Sequence, residues 1–89
     1  MKIDAKIKWL IDEPELNITV DKIETVLVDA DYCESDVENI TQYIENELAE
    51  KYGTSFYVGQ DDFVITNMDE LIEDIAFDEF EDKTEYANV

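Results

Sequence analysis

Hydrophobic and polar positions alternate over residues 2–11. Ile3, Ala5, Ile7, Trp9 and Ile11 fall on one side, and Lys2, Asp4, Lys6 and Lys8 on the other. A period of two with β-branched residues predicts a strand with one face buried. Asp12-Glu13-Pro14-Glu15 ends it, because proline has no N–H to give to a ladder. Residues 17–30, NITVDKIETVLVDA, favour strand by composition. A short helix starting after Thr19 would also place Val20, Ile23 and Leu27 on one side. Strand, paired antiparallel with the first, is the preferred reading.

The period then changes. Ser35-Asp36-Val37-Glu38 has the form of a capping box, with Ser35 as N-cap and Glu38 at N3. Val37, Ile40, Ile44, Leu48 and Tyr52 follow at helical spacing, and Gly53 is a natural stop. Ser55–Val58 and Phe63–Thr66 flank Gly59-Gln60-Asp61-Asp62, which predicts a hairpin. Asn67-Met68-Asp69-Glu70 repeats the capping-box form and opens a helix through Met68, Leu71, Ile72 and Ile75. The apolar stripe lapses near Glu79, so this helix is expected to end or bend at residues 77–80, leaving 81–89 as a frayed acidic tail. The predicted fold is α+β: a four-stranded antiparallel sheet with two helices on one face, in the order ββαββα. Residues 1–80 form one domain.

Charge alters what such a domain is expected to do. The chain has 25 Asp plus Glu, six Lys, no Arg and no His, for a formal charge of −19. Solubility alone is met by a net charge of about 2 to 8 in magnitude, and a larger excess strains a compact state by self-repulsion. Direct binding to nucleic acid or to an anionic membrane is disfavoured, since both need cations. The segment MKIDAKIKWLID has no continuous apolar block and is not expected to be a signal peptide. One cysteine, Cys33, cannot form an internal disulfide, which fits a reducing, cytoplasmic setting.

Chemistry is sparse. Without histidine, a Ser-His-Asp or Cys-His site cannot be built within one chain. Gly53 and Gly59 belong to no phosphate-binding loop. Asp29-Ala30-Asp31 resembles the start of a calcium loop, but the required Gly and Glu positions hold Glu34 and Ile40. The expectation is a non-enzyme with no cofactor and no metal site.

The acids themselves are the candidate functional residues. Asp69, Glu70, Glu73, Asp74, Asp78, Glu79, Glu81 and Asp82 crowd the second helix and its tail, with Lys83 the only nearby base, and Glu38, Glu45, Glu47 and Glu50 the first. Acids near a helix start favour the macrodipole, but Glu47, Glu50, Asp78 and Glu79 lie toward the wrong end and gain nothing there for folding. Duplex DNA presents one charge per about 1.7 Å of axis, and rows of carboxylates can offer a comparable array. Phe77 points away from the apolar stripe, either as a contact anchor within the acidic face or onto the core of a bent helix.

In size, charge and missing chemistry the chain resembles the small acidic inhibitors made by phages and mobile elements. These include anti-restriction and anti-CRISPR proteins, many of which mimic DNA. The resemblance rests on composition, so it assigns no residue roles and no fold. It implies a non-enzymatic inhibitor that occupies the basic nucleic-acid groove of a host defence nuclease or another DNA-binding complex, as a monomer or small homodimer. The alternatives are an acidic protein-interaction module that does not mimic DNA, and a weak cation-binding domain.

Overall fold

The computed structural model describes residues 2–53, 58, 59 and 61–87, with side chains of the final helix described as far as Asp78. Strand β1 (Lys2–Trp9) and strand β2 (Ile23–Asp29) precede helix α1 (Val37–Tyr52), and strand β3 (Phe63–Ile65) precedes helix α2 (Met68–Ala87). Short 3-10 turns occupy Pro14–Leu16 and Ala30–Tyr32.

The alternation seen at the start of the chain is realised in β1: Ile3, Ala5, Ile7 and Trp9 are buried, while Lys2, Asp4 and Lys6 are exposed. β1 is the central strand of a three-stranded sheet ordered β2-β1-β3, antiparallel to both neighbours. This corrects the expected four-stranded sheet. The Phe63–Ile65 strand pairs with β1, through Ile7↔Ile65 and Trp9↔Phe63, and among the described residues the sheet has three strands. The proposed partner at 55–57 lies outside the described residues, and Val58 is buried outside any strand. The turn itself is present, since the Gly59 N–H donates to Asp62 Oδ2 at 2.9 Å.

The second strand is shorter than the 17–30 expected. Asn17 and Asp21 have φ of 59° and 71°, a left-handed conformation that Asn and Asp tolerate and a ladder does not. They build a turn that Ile18, fully buried, fastens to the core.

Helix α1 begins one residue later than the capping-box reading. Asp36, not Ser35, is the N-cap: its Oδ1 accepts from the N–H of Glu38 (2.9 Å) and of Asn39 (3.4 Å). Asn39, not Glu38, reaches back, accepting the Glu34 N–H at 3.1 Å. Gly53 (φ 89°) ends the helix, its N–H bonded to Ala49 O. At α2 the expected box is replaced by a longer-range bond. The Asn67 side chain accepts from Lys6 N–H (2.8 Å) and donates to Asp4 O (2.9 Å), so its amide stands in for one more peptide of β3. α2 then continues helically through 77–80, where an end or bend was expected, to Ala87.

α1 packs against β2 and α2 against β1, both on the face that carries Trp9. Ile40, Ile44 and Leu48 of α1 and Leu71 and Ile75 of α2 are fully buried there. Trp9 sits among them edge-on to Tyr52 (5.8 Å) and Phe63 (6.2 Å). Its buried Nε1 has no hydrogen-bond partner among the described residues, so packing holds the ring. Two layers result: helices on one side, and an open sheet face on the other.

Candidate protein-interaction surface

Burying Ile40, Ile44 and Leu48 turns the acids of α1 outward. Glu38, Glu47 and Glu50 are exposed and Glu45 is half-buried. On α2 the burial of Leu71 and Ile75 does the same for Asp69, Glu70 and Glu73, which are exposed, while Asp74 and Asp78 are half-buried. The side chains of Glu79, Glu81 and Asp82 lie outside the described residues. Phe77 is 60% exposed, so of the two placements open to it the structure adopts the outward one.

Of the six lysines, Lys51 belongs to α1 and Lys83 to α2, and the other four lie on β1 or just before β2. Lys2, Lys6 and Lys8 line the open face of β1. Among the described residues the ion pairs are Lys8–Asp21 (3.3 Å), Lys22–Glu24 (3.5 Å) and Lys51–Glu24 (3.3 Å). They gather where β1 ends and β2 begins. No described ion pair involves Glu38, Glu45, Glu47, Glu50, Asp69, Glu70, Glu73, Asp74 or Asp78. The helical layer therefore presents a strong negative field, in which Lys51, at the end of α1 and paired with Glu24, is the one described lysine.

Glu24 shows what a carboxylate does when the fold uses it. It lies on the inner face of β2, with its side chain 9% exposed. Tyr52 Oη donates to Glu24 Oε1 at 2.5 Å. Burial alone would raise the Glu24 pKa, but the Tyr52 hydroxyl and the charges of Lys51 and Lys22 outweigh it and hold the carboxyl below its usual 4.5. Burial and the Glu24 hydrogen bond and charge push the Tyr52 hydroxyl well above its usual value.

Asp78 meets residues that the sequence reading had not grouped with it. It borders a shallow recess of about 420 Å³ with Asp31, Tyr32, Glu34 and Asn39. The Tyr32 side chain is 79% exposed at its rim. Among the described residues no group of three or more acids or cysteines is placed to hold a metal ion.

The open sheet face was also missed as a surface of interest. Its signal was the outward half of the alternation: Lys2, Lys6 and Lys8, then Ile23 and Leu27 where polar residues would be usual. Ile23 is 59% exposed, Leu27 54% and Val64 44%.

No protein-family model, no curated protein and no solved structure matches the chain. Among the described residues, no helix is long and apolar enough to cross a membrane.

Proposed function

We propose that the chain binds a basic protein surface through its helical layer, taking the place of nucleic acid in the groove of a host defence nuclease or another DNA-binding complex. It would do so as an anti-CRISPR or anti-restriction inhibitor does, without catalysis and without a cofactor. The observation that carries the reading is segregation of charge. Among the described residues the acids of α1 and α2, most of them exposed, form no ion pair with a lysine, whereas the described ion pairs cluster at the β1–β2 end. A generic solvated surface would intersperse the two signs. A groove built to shed counterions onto phosphates gains the same release from a rigid array of carboxylates, and long-range attraction speeds encounter.

The test is capture of nucleic-acid enzymes from a bacterial lysate at about 0.1 M and about 0.5 M salt, which spans strong and weak screening. Capture at low salt, lost at high salt and displaced by duplex DNA, supports the proposal. Capture indifferent to salt and to DNA contradicts it.

One observation favours a second reading, an interaction module that does not mimic DNA. Phe77 stands 60% exposed with Glu73, Asp74 and Asp78 near it in sequence. An aromatic so placed is suited to fill a pocket on a partner. Phe77→Ala then abolishes capture at both salt concentrations, whereas a purely electrostatic contact survives it.

A further inference from the structure

We infer that the outer edge of β2 is a self-association site, at which β2 of one copy pairs antiparallel with β2 of a second copy and the two sheets become continuous.

The backbone geometry defines the site. Trp9 N–H donates to Lys22 O and Asp21 N–H to Trp9 O, so odd-numbered residues of β1 direct their peptide groups toward β2. Their partners Glu24, Val26 and Val28 therefore face β1. The peptide groups of Ile23, Thr25 and Leu27 point the other way, and among the described residues nothing within the chain bonds to them. Farther along this edge Asp29 N–H donates to Tyr43 Oη at 3.2 Å.

Edge strands are ordinarily protected by proline, a bulge or outward charge. This one carries Ile23 and Leu27, both more than half exposed, with exposed Thr25 between them.

The sequence of the edge is complementary to itself. With a two-fold axis at Thr25, Thr25 faces Thr25 of the second copy, and Ile23 faces its Leu27 in both halves. These are favourable cross-strand pairs. An axis at Val26 instead sets Ile23 opposite Asp29, whose N–H is already occupied.

Charge points to the same occupant. Beside this edge, on the same face, β1 supplies Lys8 opposite Ile23, Lys6 opposite Thr25 and Asp4 opposite Leu27, with Lys2 beyond. Lysines outnumber acids on this face of β1, in a chain of charge −19. Two copies approach with least repulsion there. Each copy still carries a net charge of −19, so added salt strengthens the contact.

The experiment is the mass of the full chain in solution, by sedimentation equilibrium, from about 0.1 M to about 1 M salt, where the screening length falls from about 10 Å to about 3 Å. A dimer is expected, with a Kd that falls by about tenfold or more over that range as net-charge repulsion is screened. Leu27→Lys and Thr25→Pro are expected to be monomeric, with circular dichroism like that of the parent. The Thr25 N–H points away from β1, so proline there spares the ladder. If Thr25→Pro unfolds, Leu27→Lys decides alone. A parent chain that is monomeric at every salt concentration overturns the inference and leaves the edge to a strand of another protein. A dimer that persists in Leu27→Lys overturns it as well.

Discussion

The two faces of this molecule treat charge in opposite ways. The sheet side pairs or isolates its lysines around an edge of Ile23, Thr25 and Leu27, while the helical side collects exposed acids with no described lysine partner. Only one of these patterns follows from folding. Alternation in β1 is required to bury Ile3, Ala5, Ile7 and Trp9. Nothing in the packing of Ile40, Ile44, Leu48, Leu71 or Ile75 requires Glu47, Glu50, Glu70 or Glu73 to be acids, and like charges three or four residues apart oppose the helix slightly. The packing of the helical layer therefore gives no account of its acids, and the proposed function does.

The contrast can be broken most severely from inside. Trp9→Ala removes the fully buried ring that Tyr52 and Phe63 clasp, and should cost about 3 to 5 kcal/mol by urea denaturation. Leu27→Ala, on the open face of the same sheet, should stay within about 0.5 kcal/mol for the monomer.

Glu24 sharpens the comparison next, as an acid whose role is structural. Glu24→Gln should cost about 1 to 2 kcal/mol, mostly through the weakened Tyr52 hydrogen bond, because Lys51 is 57% exposed and solvent screens its share. The folded carboxyl lies below its usual 4.5, so its contribution is full above that pH and is lost as the pH falls through the lowered folded value. Denaturation curves of parent and variant should accordingly converge in acid.

Asn67→Ala should cost about 1 to 2 kcal/mol, since it removes both bonds to the β1 backbone and leaves Lys6 N–H and Asp4 O unpartnered by that side chain. Smallest for stability is the helical layer. Glu47→Gln with Glu50→Gln should change unfolding by a few tenths of a kcal/mol, in the stabilising direction, since acids near a helix C-terminus oppose the macrodipole.

Much of the local structure could be read from the residues. β1 is legible because one face is buried over its whole length, and α1 because Ile40, Ile44 and Leu48 recur at helical spacing before Gly53. What escaped depended on long-range contacts. A three-residue strand such as Phe63–Ile65 carries too little pattern to reveal that its partner is β1, more than fifty residues earlier. Asn67 has the sequence of a cap, yet its amide is drawn to the β1 backbone, and Asp36 out-competes Ser35 because its extended backbone aims Oδ1 at two N–H groups. At the candidate surface, exposure of the helix acids followed from the apolar stripe. The grouping of Asp78 with Asp31 and Glu34, and the bare edge of β2, follow from tertiary packing and could not be read from spacing.

The most direct test of the helical-layer proposal is a side-by-side capture at low salt with two variants that carry opposite changes. One is Asp69→Asn, Glu70→Gln and Glu73→Gln on α2; the other is Lys2→Gln and Lys6→Gln on β1. The proposal predicts that the α2 variant loses a basic, DNA-displaceable partner that the β1 variant retains. Equal retention by both, or loss confined to the β1 variant, would contradict it.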